Sequence, residues 1–499
     1  MTVPPFDPPH RTLPGHPTIS AYLKALPEGE AVTYPMDPLD RLGLPVWSAD
    51  LFTPDGGTHN GIGFGASDER AAIGALGELS EMVSAGRAVK RLERRRTSYR
   101  ELLRELGPEG VADPLTLCLP AGSEYSPESP LLWVEARRWA SDEAVLVPLE
   151  FVAAAPGDIR DEGDGWLILP INNGLGAGLS VEQAFAHGLL ELVQRDGNSA
   201  TYRALDLGVG VDLDDVRDPE TLDLLARLDR EGIEVTVKLA STDLGVANLY
   251  VVGAERDPTK APHPLALSAC GEAADPDCEK ALKKALMEYV AGRSRKPFSN
   301  GPLSRMTAVT PALTVARLLR AATLEHEEER ALRGSVDWLG LGAHEMRDLL
   351  EDPIFTVRTK VDFSSLPESA ETNDSAANIM ANRLREDGLD PLYVDLSPPG
   401  GEVHVTKAVV PGLEVETASY ARIGARNLRR MLRRDDGLVG TGDPGPGARR
   451  ILLPEPAREE FGPEPWLDVA ALDAKVGRLY PLYREPGHHL PALVAAGVL

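Results

Sequence analysis

Apolar and polar positions along this chain change their period many times, and the changes divide it into helices and strands. Leu44-Pro45-Val46-Trp47-Ser48-Ala49 follows a turn over Asp40 to Gly43 and reads as a strand. Residues 68–105 carry apolar residues at helical spacing, with a break expected near Gly86. Residues 131–155 alternate as strands do, and 166–170 reads as a further short strand. Helical periodicity returns over 181–204, strands over 233–239 and 246–253, and a helix over 276–294. Beyond these, 311–333, 343–351 and 372–386 read as helices, 392–396 and 403–410 as strands, and 419–434 as a basic helix.

The elements mix without a βαβ rhythm. That predicts an α+β fold with mixed or antiparallel sheets flanked by helices, rather than a doubly wound sheet. Residues 1–36 read as an N-terminal arm and 37–434 as one catalytic domain. Residues 435–499 read as a linker and C-terminal tail element, the linker being the Gly-, Pro- and Asp-rich stretch 435–449.

Composition narrows the function classes. With 42% hydrophobic residues over 499 positions the chain can bury a large core. A formal net charge of −25 disfavours nucleic acid as a partner, because phosphate contacts need clustered Lys and Arg. Three cysteines, Cys118, Cys270 and Cys278, are too few and too scattered for a disulfide framework or a zinc site. No apolar run long enough to span a membrane and no secretory signal pattern is present, so a cytoplasmic, membrane-free protein is expected. Two basic runs, Lys90-Arg91 with Arg94-Arg95-Arg96 and Arg429-Arg430 with Arg433-Arg434, read as solvated helix faces; docking of an acidic leader peptide is the sharper alternative. His187 reads as core packing, and His488-His489 as a turn.

The chemistry lies in a repeated device. Gly63, Gly65, Ser67, Ala71, Ala75, Leu76 and Glu78 recur at identical offsets as Gly176, Gly178, Ser180, Ala184, Gly188, Leu189 and Glu191. A looser third copy contains Gly271, Ala281, Ala285, Leu286, Glu288 and Arg293. Each reads as a glycine turn feeding a helix, with polar side chains about one turn apart on one face. Glu78 with Glu81, and Glu191 with Gln194, are poor packing choices on such small, apolar helices. Carboxylates so placed suit Mg²⁺, which takes one or two of them plus substrate phosphates. The pattern points to a nucleotide-using enzyme.

Four segments resemble the YcaO family. They are Asp40-Arg41-Leu42-Gly43-Leu44-Pro45-Val46-Trp47, the ExxE helix ending Glu78-Leu79-Ser80-Glu81, the Asn173-Gly174 loop with its following Glu191-Leu192-Val193-Gln194-Arg195, and Val409-Val410-Pro411-Gly412-Leu413-Glu414. The helix ending Glu288-Tyr289-Val290-Ala291-Gly292-Arg293 resembles the family's third motif. The resemblance implies ATP and Mg²⁺ as cofactors. It places Glu78, Glu81, Glu191 and Gln194 at metal positions, and Asn173, Arg195, Glu288 and Arg293 at ATP. It implies a site between the glycine turns and the Glu-bearing helices. It names no catalytic side chain, because the chemistry is phosphorylation of a peptide backbone amide oxygen after a nucleophile adds. The product is an azoline, a thioamide or an amidine, in a ribosomally made precursor peptide. Its implied partners are that peptide and a separate leader-binding or sulfur-handling protein, and a homodimer is compatible with it.

The chain departs from the family pattern at four places. Gln194 stands for a second glutamate, Met82 for an arginine, Ala291 for a glutamine, and Gly74 or Ala75 where a serine is common. Gln194, Met82 and Ala291 leave open a degenerate scaffold that binds a peptide or partner without hydrolysing ATP; an accessory factor in ribosomal-protein modification is a further alternative.

Overall fold

The computed structural model describes residues 11–160, 165–369 and 375–499. The first ten residues of the expected arm, and 372–374 of the expected helix 372–386, lie outside the described residues. In chain order the elements are α1 (Pro17–Ala25), β1 (Glu30–Pro35), β2 (Val46–Phe52), β3 (Thr58–Phe64), α2 (Asp68–Val89), β4 (Arg95–Ser98), α3 (Tyr99–Leu106), β5 (Pro130–Arg138), β6 (Ala144–Pro148), β7 (Leu175–Gly178), α4 (Val181–Asn198), β8 (Val209–Asp212), α5 (Pro219–Arg230), β9 (Ile233–Ser241), β10 (Ala247–Glu255), β11 (Cys270–Asp275) and α6 (Cys278–Asn300). Short helices follow, with β12 (Thr359–Asp362), β13 (Leu392–Asp395), β14 (His404–Val409), β15 (Val439–Gly440), β16 (Ala448–Arg450) and β17 (Trp466–Asp468). The fold is α+β, as the pattern predicted.

The chain forms two compact units. The first comprises Met1–Leu79, Tyr202–Ala370 and Arg478–Leu499, and the second Ser80–Thr201 and Glu371–Gly477. In the first unit lie a sheet of order β1-β2-β3 and a five-stranded sheet of order β11-β10-β9-β8-β12, in which only β12 and β8 pair parallel. Its main core sets Val237, Leu249, Val251 and Ala273 of the larger sheet against Ala281, Leu282, Ala285 and Leu286 of α6. The second unit holds an antiparallel sheet of order β4-β5-β13-β14-β7, with β6 beside β5, and a small sheet of order β15-β17-β16. There Phe185 of α4 stacks on Trp139 with ring centroids 4.2 Å apart.

These units differ from the expected boundaries. Glu30–Pro35 of the expected arm is an edge strand paired with β2. Residues 435–477 belong to the second unit and 478–499 to the first. The expected linker contributes β15 and part of β16 instead of a free connection. Helical pattern over 68–105 is interrupted after Val89 rather than at Gly86, because Arg95–Ser98 pairs with β5. Residues 166–170 form no strand. The 311–333 helix is two, Ala312–Ala321 and Glu329–Leu339. The second basic run is not a solvated face: Arg430 bonds the 99%-buried Asp196 at 2.7 Å, and Arg429 clasps Glu460.

Gly65 lies just past β3, and the other repeated glycines sit in strands and not in turns. Gly63 lies in β3, Gly176 and Gly178 in β7, and Gly271 in β11. None of these four has a positive φ. Their purpose is close approach. A Cβ on Gly63 would fall 2.1 Å from Ala75 N, one on Gly176 2.0 Å from Ala184 O, and one on Gly271 1.9 Å from Ala285 O. Each strand therefore touches the backbone of the helix that follows it, at small residues on that helix. The repeated serines start those helices. Ser67 Oγ accepts from Arg70 N, and Ser180 Oγ from Gln183 N; Asp277 caps α6 in the same way. Such a cap contributes about 1 kcal/mol.

Gly271→Ala is expected to cost about 3 kcal/mol, since neither backbone can retreat without breaking its own ladder. Gly157→Ala, where nothing lies within 4 Å of the new Cβ, serves as control. Urea denaturation of both variants checks this; equal stability would remove the close-packing argument.

Candidate functional site

Helix against strand at glycine distance brings a glutamate of each helix back to its own strand or, for Glu191, to the turn residue just before it. Glu78 Oε2 accepts from Ile62 N at 2.7 Å, Glu191 Oε2 from Gly174 N at 2.9 Å, and Glu288 Oε2 from Glu272 N at 3.0 Å. Bonds from neutral donors to an ionised carboxylate are about twice as strong as neutral ones, and they fix the rotamer. The three copies are thus one structural device: capped helix, glycine-lined strand, and a carboxylate anchored to backbone in or just before that strand.

In the second unit, Glu81 Oε1 accepts from Ala177 N at 2.9 Å. Glu81 and Glu191 are therefore both hung on the short segment 174–177. Arg195 Nη2 lies 3.3 Å from Glu191 Oε1, one turn along α4. Gln194 is only 6% exposed, far more enclosed than Glu191. His187 is exposed rather than a core residue. Asp196, next to Arg195, is buried; burial would raise its pKa, but Arg430 and Arg426 overcome that and hold it below the usual carboxylate range.

Asn173 lines a cavity of about 60 Å³ in the second unit together with Lys407, Glu150 and Glu414. Lys407 donates to Ile171 O at 2.6 Å, and Ala408 N to Gly174 O at 2.7 Å, which pins the Asn173 loop from both sides. Burial lowers the Lys407 pKa to about 7, against the opposing pull of Glu191. Burial likewise lifts Glu150 to about 7, although Leu167 N and Ile168 N both donate to it. Glu414 has a structural job: it accepts from Gly424 N, Arg426 N and Asn427 N at the start of the helix Ala425–Leu432.

In the first unit the two arginines at the end of the third device part ways. Residues two apart on a helix point to nearly opposite sides. Arg293 is fully buried and grips Asp40 with two bonds of 3.0 Å and Glu255 with one of 2.8 Å. Arg41 meets Glu255 as well, and Trp47 Nε1 donates to Asp68 at 2.8 Å. The entry segment Asp40–Trp47 thus fastens α6 and the start of α2. Arg295 is half-exposed, forks onto Glu485 at 2.7 and 3.1 Å, and feels the charges of Glu78 and Glu288. Those interactions, Glu485 first, raise its pKa. The sequence pattern places Arg293 at phosphate; the structure encloses it between Asp40 and Glu255, whereas Arg295 lies two full turns from Glu288 on the same helix face.

Among the described residues no three His, Cys, Asp or Glu side chains form a ready metal cluster. The donor set still fits Mg²⁺, which keeps waters and takes one or two protein carboxylates beside phosphate oxygens. In the second unit Glu81 and Glu191 offer hard oxygens held by backbone and Arg195 a planar fork suited to phosphate; the first unit has such a fork in Arg295.

The family model described as YcaO cyclodehydratase, ATP- and Mg²⁺-binding, matches residues 62–414. The chain belongs to the YcaO family, and ATP and Mg²⁺ are that family's ligands. It is 30% identical over 393 residues to an uncharacterized protein of Methanothermobacter thermautotrophicus, covering 78% of this chain and 90% of that one. The fold is shared with YcaO from Methanopyrus kandleri, solved with AMPPCP and Mg²⁺, at 22% identity and TM-score 0.54 over 79% of this chain and 88% of that one. It is shared too with a heterocyclase solved with substrate and cofactor, at 18% identity and TM-score 0.55 over 80% of this chain and 52% of that one. Among the described residues no helix is long and apolar enough to cross a membrane.

Two outcomes are expected. Arg293→Met strands the buried Asp40 and leaves Glu255 with Arg41 alone, and should cost about 3–5 kcal/mol. Arg295→Met should cost less, because Lys296 stays beside Glu485, yet weaken Mg-ATP binding. Urea denaturation and calorimetric titration separate the two; a stable Arg293→Met that fails to bind nucleotide would reverse the assignment. Glu150 gives a pH test. Its folded pKa of about 7 exceeds the ordinary 4.5, so its contribution is full below 4.5 and is lost as pH rises to 7. Relative to Glu150→Gln, wild type should lose thermal stability across that window; parallel curves would contradict it.

Proposed function

We propose that this protein uses ATP and Mg²⁺ to activate a backbone amide of a peptide, giving an azoline, a thioamide or an amidine. The observation that carries this reading is the pair Glu81 and Glu191, both fixed by main-chain N–H groups of one short segment, beside Arg195. Bound ATP supplies the phosphoryl group that turns an amide oxygen into a leaving group. In the second unit Glu81 and Glu191 hold the metal, Gln194 gives at most a neutral oxygen, and Arg195 meets phosphate oxygens. In the first unit Glu78 is a further metal carboxylate, and Arg295, oriented by Glu288 along α6, meets phosphate oxygens. Asn173 closes the loop over the segment that carries Glu191. The chain adds no covalent nucleophile of its own; its work is positioning and neutralising charge. The substrate class that suits this reading is a ribosomally made precursor peptide, delivered by a separate leader-binding or sulfur-handling partner.

The first test is binding. At a hundredfold excess over Kd, Mg-ATP should stabilise the protein by about 2.7 kcal/mol. Glu191→Gln should remove most of that effect while leaving the fold intact. Absence of any shift in wild type would favour a peptide-binding scaffold without ATPase activity, a reading that rests on Gln194, Met82 and Ala291. The second test is chemistry. Co-expression with a precursor peptide should shift its mass by loss of one water for cyclodehydration, or by exchange of oxygen for sulfur for a thioamide.

A further inference from the structure

A cavity of about 290 Å³ lies in the first unit beside the three-stranded sheet. Asp50 of β2, Asn60 of β3, Glu327 and His489 line it, with Phe298 and Leu318 as an apolar wall. It uses none of the residues assigned to ATP or metal.

Asp50 is 1% exposed. It accepts from Tyr34 Oη and Asn60 Nδ2, both at 2.8 Å, and both donors are neutral. Among the described residues no Lys or Arg pairs with it. Burial raises its pKa to about 6, so at neutral pH it is a buried anion without a counter-charge. A buried charge is expensive unless paired. His489 is 3% exposed and sits at φ +68°. Its ring is hydrogen-bonded to the Phe298 backbone, and its Nδ1 has no partner. Burial drops its pKa to about 3, which keeps the ring neutral. Glu327 accepts from Gly487 N at 3.1 Å. The cavity lining therefore combines two carboxylates, a neutral imidazole whose Nδ1 has no partner, and the apolar side chains of Phe298 and Leu318.

The complement is a positive group with several N–H donors on a short apolar stem. We infer that this cavity binds a primary ammonium group, held by Asp50, Glu327 and the imidazole of His489, with its stem on Phe298 and Leu318. A bare dication is a poorer match, since no three-ligand cluster forms among the described residues. The ammonium can come from a free amine, a lysine side chain or a peptide N-terminus.

Calorimetric titration of the full chain tests this. Butylammonium should bind saturably, whereas butanol and butyrate at equal concentration should not. Asp50→Asn should weaken butylammonium at least tenfold. Should that variant fail to fold, Leu318→Trp fills the wall and should abolish binding in the folded protein. Competition by Nα-acetyl-lysine amide and by leucinamide then identifies a side chain or an N-terminus as the source; competition by neither assigns a free amine. No saturable binding by any amine, equal binding of butanol, or unchanged affinity in either variant would overturn the site. Such a failure would leave amide activation untouched, because no residue is shared.

Discussion

Glutamate carboxylates tied to strand backbone are the interaction on which the rest of this structure depends. A glutamate can reach the N–H of its own strand only if the helix lies against that strand at backbone contact. That contact needs glycine on the strand and Ala or Gly on the helix. It also needs a helix that begins at a fixed distance from the glutamate, which the Ser67, Ser180 and Asp277 caps provide. Glycine, cap and carboxylate are therefore one constraint, and the spacing that reveals it in sequence is the spacing that geometry demands.

The constraint also sorts charge. Neutral main-chain N–H donors fix the carboxylates of Glu78, Glu191 and Glu288 in place. The cations that are buried serve the scaffold. Arg293 locks α6 to Asp40 and Glu255, and Arg426 and Arg430 lock the helix Ala425–Leu432 to Asp196. The division is sharp within α6, where Arg293 is structural and Arg295 faces the carboxylates.

Much of this was legible in the chain. Period and composition identified the α+β class and most elements, and the repeat identified the glutamates. What was misread has physical causes. A glycine pair before a helix reads as a turn, because sequence shows conformational freedom and close approach with the same residue. The run 90–98 reads as helix until β5 is available as a partner for Arg95–Ser98. The compact units follow contacts between distant segments, which no local pattern carries. Arg293 and Arg295 differ only in helical phase, and only Asp40 and Glu255, both remote in sequence, reveal which one turns inward.

The central claim is that each carboxylate is anchored to backbone in, or just before, its own strand. Site-resolved amide hydrogen exchange at Ile62, Gly174 and Glu272 measures it directly, in wild type and in Glu78→Ala, Glu191→Ala and Glu288→Ala. Each substitution should speed exchange at its own partner amide and leave the other two protected. Protection unchanged at all three amides would contradict the account.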